Sequence, residues 1–476
     1  MRNTTLTKKK LTFPHVFSLV FFLIIVTAIA TWFIPSGSFA RQEVKTSIGT
    51  RTVAVAGSYE GVEKVSEDGD LRQGFGSILM APVKGMQAAA QVVFFVLVVG
   101  GAFGIIESSG AIVAGLSALI RKLGKKDYLL IPIILVLFSL AGSTNGMGEE
   151  AIPFFAVFLT LCLQMGYDSL LAFFIVFFGC RVGCVVSTIN PFSVLVSQGI
   201  IGITGNPQLN FRMIAWVVYT ALTVAWVMWY ANRIKKNPEK SLCYESDRKK
   251  RDEIMAKTAE MDAHEFTVAQ KLICAVYVIG LVVMVYGLMK LDWYMDEICA
   301  VFFVIGLFAG IVSRMGEKKM AVSFLTGMKD FMFTAAVIGL AKGILVVAQD
   351  GMILDTILNA LVNMLNGTPT VIFVVLLYIV MVLFGALVPS SSGMAALTMP
   401  VIAPLVELMG MNPEAAVTAL HHCCGMAVMI FPTGSILVAG LAICGCTLPQ
   451  YWKTTWKFLL TLGIMSCITI GISAVL

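Results

Sequence analysis

The chain has 476 residues, of which 58% are hydrophobic and 13% charged, and its mean hydropathy is +0.88. A soluble globular chain carries about 25% charge, so this composition excludes an ordinary soluble domain and reads as an integral membrane protein. The net charge of +6 is no nucleic-acid footprint, because the basic residues gather in loops, where they set membrane topology.

The first apolar run, 13–35, follows Lys8-Lys9-Lys10. It exceeds the ~7–15 residues of a signal-peptide core, so an uncleaved first transmembrane helix (1–35) is expected. Residues 36–85 mix Arg41, Lys45, Arg51, Lys64 and Arg72 with Glu43, Glu60, Glu63, Glu67, Asp68 and Asp70, and read as an external loop. A first apolar unit fills 86–231. The basic stretch 232–270, with Arg233, Lys235, Lys236, Lys240, Arg248, Lys249, Lys250, Arg251 and Lys257, reads as a cytoplasmic linker. Two connecting helices are expected in 271–319, near 271–290 and 296–314, and a second apolar unit fills 320–476. Many of these runs reach the ~20 residues a spanning helix needs.

The two apolar units repeat each other. Gly146-Met147 precedes Pro153 at the spacing by which Gly393-Met394 precedes Pro400. A polar cluster stands before each: Ser143-Thr144-Asn145 and Ser390-Ser391-Ser392. Gly85-Met86 answers Gly327-Met328, Gly110 answers Gly351 and Gly166 answers Gly410. The first unit begins outside, near Gly85, and ends inside at the linker. The second begins inside, after Glu317-Lys318-Lys319. The repeats therefore enter the membrane from opposite faces, with the N-terminus cytoplasmic and the C-terminus external. Inverted repeats broken at matching polar positions are the sequence pointer to a secondary transporter's binding site.

Irregular backbone at membrane depth survives only inside protein or beside water. The stretch 142–150 holds Ser143, Thr144, Asn145, Glu149 and Glu150 among three glycines and reads as the tip of a re-entrant hairpin. Its counterpart is Pro389-Ser390-Ser391-Ser392. A second break follows in each half, at Ser187-Thr188-Ile189-Asn190-Pro191 and at Pro432-Thr433-Gly434-Ser435. Freed carbonyls and hydroxyls are hard oxygen ligands, so these residues are the expected solute and ion site, with Na⁺ placed near Asn145, Asn190, Ser391 and Thr433. The breaks of both halves are expected to meet in one mid-membrane cavity.

Other charged residues in apolar sequence are Glu107, Arg181, Lys342 and Asp350. Intramembrane charge costs ~2.5 kcal/mol or more, which makes each a functional candidate. Snorkelling or structural pairing is the alternative for Glu107, Lys342 and Asp350 near helix ends. His421 and His422 are adjacent and point about 100° apart, which suits two separate partners better than one metal. The eleven cysteines lie almost all in apolar runs without metal-site companions and read as small packing residues.

The stretches STNGMGEEAIPF (143–154), VVSTINPFSV (185–194), LVPSSSGMAALTMPVIAPL (387–405) and IFPTGSILVAG (430–440) resemble the YfcC-type carriers of the ion-transporter superfamily, beside anaerobic dicarboxylate carriers and arginine–ornithine antiporters. The resemblance extends over nearly the whole chain. It implies a scaffold domain and a transport domain with two re-entrant hairpins, moving as an elevator. Family members are commonly labelled basic amino acid antiporters by analogy. The run His421-His422-Cys423-Cys424 departs from the family's pattern and points to a shifted substrate.

The expectation is an all-α polytopic protein of the bacterial plasma membrane: a secondary active transporter, not an enzyme, for a small charged organic solute. Glu149 and Glu150 favour a cationic amino acid. Hairpin helix starts with hydroxyls favour a carboxylate. An amino acid satisfies both, with a dicarboxylate as the alternative. No P-loop is present, so coupling to Na⁺ or H⁺, or exchange, is expected without a cofactor. A non-transporting sensor or scaffold is the competing class. The expected partners are the solute and the bilayer, with nucleic acid excluded and a homodimer left open.

Overall fold

A computed structural model of the chain describes residues 16–476 apart from 47–48, 56, 67–68, 113, 116–117, 119–127, 204–205, 253–265, 292, 294 and 366–367. The basic N-terminus and part of the linker thus lie outside the described residues.

Helix α1 (Val16–Phe33) leads into three small antiparallel ribbons: β1 (Ser36–Ser38) with β4 (Glu60–Val62), β2 (Arg41–Thr46) with β3 (Gly49–Ala54), and β5 (Val65–Ser66) with β6 (Gly69–Asp70). The segment expected to be a loop is therefore partly pleated. It is also shorter than expected, because α2 (Phe75–Ala88) starts soon after Arg72. The mixed charges end at Arg72, and the apolar residues beyond it have a helix face to bury. Arg72 pairs with Asp70 at 2.7 Å and stacks over Trp32. The hydrogen bonds from Arg72 hold the exposed Asp70 carboxyl below its ordinary value.

The first half continues with α3 (Ala90–Ser108), α4 (Leu130–Asn145), α5 (Ile152–Gln164), α6 (Ser169–Val185), a π-helical turn (Pro191–Leu195) running into α7 (Val196–Ile200), and α8 (Leu209–Lys236). Helices α9 (Val268–Lys290) and α10 (Met295–Val312) connect to the second half. That half holds α11 (Glu317–Asp350), α12 (Leu354–Leu365), α13 (Thr370–Leu387), α14 (Ser391–Leu408), α15 (Glu414–Ile430), α16 (Ser435–Cys444) and α17 (Leu448–Val475).

Element lengths recur in order. Residues 75–108, broken only at Ala89, take as many residues as the unbroken α11. Helices α6 and α15 have 17 residues each, and α8 and α17 have 28 each. The π-helical turn with α7 equals α16 in length. Gly166 and Gly410, which end α5 and α14, are both left-handed, with φ of 80° and 72°.

Two packing groups result. Helix α11 lies against α1, α2 and α3, and α10 lies against α3 and α9. Small residues let these helices approach closely: a Cβ on Gly85 would strike Gly339 O and the Gly343 backbone, and one on Gly327 would strike Gly100 O. The second group packs α4 on α6 and α8, α15 on α6, α13, α14 and α17, and α16 on α5 and α6. Its core is aromatic. Phe173 stacks on Phe177 at 4.7 Å, and Phe178 meets Phe458 at 5.1 Å. The groups touch where α11 meets α16 and α3 meets α5.

Six of the described helices are long and apolar enough to cross a membrane. Their outer faces leave large apolar residues exposed, such as Ile214 and Val217 on α8 and Leu460, Ile464 and Ile468 on α17. A water-soluble protein rarely exposes apolar rows of this kind, whereas lipid covers them.

Candidate functional site

The first break begins where α4 stops at Asn145. Gly146 takes a left-handed conformation (φ 70°), and its N–H bonds to Gly142 O at 3.1 Å. A side chain there would be strained and would also meet the Asn190 amide at 2.7 Å. A 3₁₀ turn at Glu149–Ala151 then opens α5. The counterpart break is capped differently. Pro389 offers no N–H, and the Ser390 hydroxyl accepts a hydrogen bond from Gly393 N at 3.3 Å, starting α14.

Buried hydroxyls stitch the two breaks of the first half together. Ser143 Oγ donates to Val186 O at 3.1 Å, and Thr188 N donates to Ser143 O at 3.0 Å. Asn190 Oδ1 accepts from Phe192 N at 2.9 Å, and its Nδ2 donates to Ser187 Oγ at 3.2 Å. Across the halves, the Ser435 hydroxyl donates to Glu149 Oε1.

A cavity of about 260 Å³ lies at the junction of the two packing groups. The second group supplies Glu149, Glu150, Arg181, Asn190, Ser390, Ser391, Ser392, Thr433 and Ser435 to its wall. The first group supplies Ala88, Ala89, Val92, Ile338 and Lys342. Segments from all four breaks thus line one space. Ser143, Thr144, Ser187 and Thr188 do not line it. Ser143 and Thr188 hold each other, Thr144 Oγ1 donates to Leu140 O at 2.8 Å, and Ser187 Oγ donates to Cys184 O at 2.8 Å. The Asn145 side chain lies outside the described residues. Of the positions expected near Na⁺, Asn190, Ser391 and Thr433 share the cavity wall.

Arg181 and Glu150 converge on one peptide. Arg181 Nη2 donates to Met147 O at 2.8 Å, and Glu150 Oε2 accepts from Gly148 N at 2.7 Å. Lys342 is half-buried and makes no hydrogen bond or ion pair among the described residues. Glu107 is exposed at the end of α3, and Asp350 pairs with Lys84 at 2.6 Å.

His421 and His422 sit outside the cavity. His421 Nδ1 donates to Val185 O at 2.7 Å. His422 Nδ1 donates to Ser466 Oγ at 3.0 Å, since that hydroxyl gives its own proton to Leu462 O. Among the described residues no cluster of three or more His, Cys, Asp or Glu could hold a metal.

Two polar networks had no clear sequence signal. Arg212 and Glu414 form a buried ion pair joined by Gln198 and Asn206, and Asn206 Nδ2 reaches Thr188 O at 2.8 Å. Both charges stand at helix starts beside turn residues and read as loop charges. At the other end of α8, Asp168 caps α6 and accepts from Leu171 N, Tyr230 OH and Ser241 Oγ at 2.9, 2.7 and 2.6 Å. Burial raises the Asp168 carboxyl above its ordinary value, and these bonds partly offset that.

Apolar helices around a polar, two-sided cavity define a multi-pass membrane transporter. Residues 13–475 match the C4-dicarboxylate anaerobic carrier (DcuC) family, and the chain belongs to it. The chain is 33% identical to the "Putative basic amino acid antiporter YfcC" of Escherichia coli K12, over 96% of this chain and 95% of that one. It is 30% identical to an "Uncharacterized protein" of Haemophilus influenzae, over 90% and 91%. Two solved transporters align over nearly their whole lengths. They are MtrF of Neisseria gonorrhoeae (TM-score 0.43, 16% identity, 97% of this chain and 96% of that one) and YdaH of Alcanivorax borkumensis (0.41, 14%, 96% and 98%). The family is one of carriers, not of enzymes; its members act on a small solute from within a bilayer.

Proposed function

We propose that this carrier moves an amino acid with a cationic side chain across the bacterial plasma membrane, by exchange or by coupling to Na⁺ or H⁺. The observation that carries the reading is the wall of the cavity. Glu149 supplies a negative charge, and Ser390, Ser391 and Ser435 supply hydroxyls beside two helix starts. An α-carboxylate suits the hydroxyls and amide N–H groups, and a cationic side chain suits Glu149. The name of the Escherichia coli relative agrees with this chemistry. The DcuC family description and the presence of Arg181 and Lys342 favour a second reading, a C4-dicarboxylate.

The recurrence of element lengths supports inverted repeats, with 142–150 and 388–393 as tips of two re-entrant hairpins. The two packing groups suit a scaffold (α1–α3, α9–α11) and a transport unit that slides against it as an elevator. On this reading residues 36–70 and the C-terminus are external, and 237–252 is cytoplasmic.

Purified protein in vesicles, offered radiolabelled arginine, lysine, ornithine, aspartate and succinate, tests the proposal. Uptake of a basic amino acid supports it. Uptake of succinate alone establishes the second reading, and uptake of none of the five removes both.

A further inference from the structure

We infer that Lys342 is a stationary counter-charge for Glu149, holding the empty transport unit against the scaffold until a cationic solute replaces it. The inference rests on the reading of the cavity as the solute site.

The charges of the cavity wall sort into two sets. Arg181 and Glu150 belong to the same packing group and grip opposite sides of the Met147–Gly148 backbone. They offset each other locally and would move together. Arg181 also lies within electrostatic reach of Glu149, so this group brings two carboxylates, Glu149 and Glu150, and one guanidinium to the wall, an excess of one negative charge, and Glu149 accepts its hydrogen bond from the neutral hydroxyl of Ser435. Lys342 is its opposite: a cation that lines the same space, lies within electrostatic reach of Glu149 and has no hydrogen-bonding or ion-pair partner among the described residues. An excess negative charge thus stands on one side of the junction between packing groups and the Lys342 cation on the other.

The backbone that carries Lys342 is fixed. Its neighbour Gly343 packs against Ala81 O, and Gly339 packs against Met86, so this turn of α11 is wedged onto α2. Ile338 and Lys342, one turn apart, face the cavity instead. If the second group moves, Lys342 stays behind. An empty unit would then carry its excess negative charge away from Lys342 and past apolar surface, which costs free energy. A bound cationic group neutralises Glu149 and releases the unit. The consequence is exchange: the carrier crosses loaded, and crosses empty slowly.

The test uses full-length protein in vesicles with radiolabelled arginine outside and either arginine or buffer alone inside. The wild type should take up label only with arginine inside. Lys342→Gln should take up label into buffer-filled vesicles, raising the ratio of net uptake to exchange about tenfold, while Lys342→Arg behaves as the wild type. An unchanged ratio in Lys342→Gln overturns the inference. So does loss of exchange with weakened arginine binding, which would make Lys342 a solute ligand. If the wild type exchanges no arginine, the functional reading fails, and the charge pairing is judged without solute. Lys342→Gln should then lower the melting temperature of the empty protein in the wild-type background and leave it unchanged in a Glu149→Gln background. Equal shifts in both backgrounds overturn the pairing.

Discussion

The Ser435 hydroxyl donates a hydrogen bond to Glu149, joining the first break of one half to the second break of the other across 286 residues of chain. Parting the two segments would break the hydrogen bond that ties Glu149 to the opposite half. Glu149 is therefore held at the cavity wall by the opposite half of the molecule, and the site exists only when both halves are folded.

Glu149→Gln keeps the acceptor for Ser435 and removes the charge. Uptake of a basic amino acid should fall at least about tenfold, because the site would lose the carboxylate that meets the cationic side chain. Ser435→Ala should have a smaller effect, about twofold to tenfold, since one neutral hydrogen bond to a charged group is lost. Initial uptake rates in vesicles check both. Undiminished uptake in Glu149→Gln would shift preference to a neutral or dicarboxylate solute.

Arg212 and Glu414 are 1% and 2% exposed, so removing either charge strands the other. Arg212→Met and Glu414→Gln should each destabilise by roughly 3–5 kcal/mol, and the double variant should recover part of the loss. Thermal unfolding in detergent checks the cycle. Because Asn206 passes this network to the Thr188 carbonyl, the single variants should also slow uptake.

Gly85 and Gly327 sit where helices of the first packing group touch through backbone atoms. Gly85→Leu and Gly327→Leu should each cost about 1–3 kcal/mol by overpacking. Gly471, where a Cβ would meet open space, should tolerate alanine. Melting temperatures of the purified variants decide the point.

Asp168 gathers one backbone and two hydroxyl donors in the turn before α6. Asp168→Ala should cost about 1–2 kcal/mol, as for a lost helix cap, while Asp168→Asn should be milder. The raised carboxyl also predicts a sign. A folded value above the unfolded one means stability is lost, not gained, as pH rises through that range, and Asp168→Asn should flatten this slope. Unfolding followed at several pH values reads it.

Membrane sidedness has its own test. Single cysteines at Glu60 and Lys240, in a background lacking native cysteines, should react with an impermeant thiol reagent from outside and from inside respectively. Labelling of both from one face would break the inverted-repeat reading.

The membrane class, the order of the apolar units and the four polar breaks were determined by the sequence itself. These are local properties. Apolar runs of spanning length have few alternatives in a bilayer, and Gly, Pro and hydroxyl clusters such as 142–150 and 432–435 mark interrupted helices wherever they occur. The start of α2 was less legible, because charge ends at Arg72 while apolar sequence extends on both sides of Lys84. What the breaks do individually was decided by tertiary structure alone. Ser143 and Thr188 turn away to brace each other, whereas Ser391 and Thr433 face the cavity, and hydroxyls of the same chemistry give no sign of which way they point. The Arg212–Glu414 pair was hidden for the same reason. Each charge alone resembles a solvated helix start, and only the meeting of the starts of α8 and α15 through Gln198 and Asn206 removes both from water. The division of charge at the cavity, with Lys342 on one packing group and Glu149 on the other, likewise depends on which helices touch, and no local pattern carries that information.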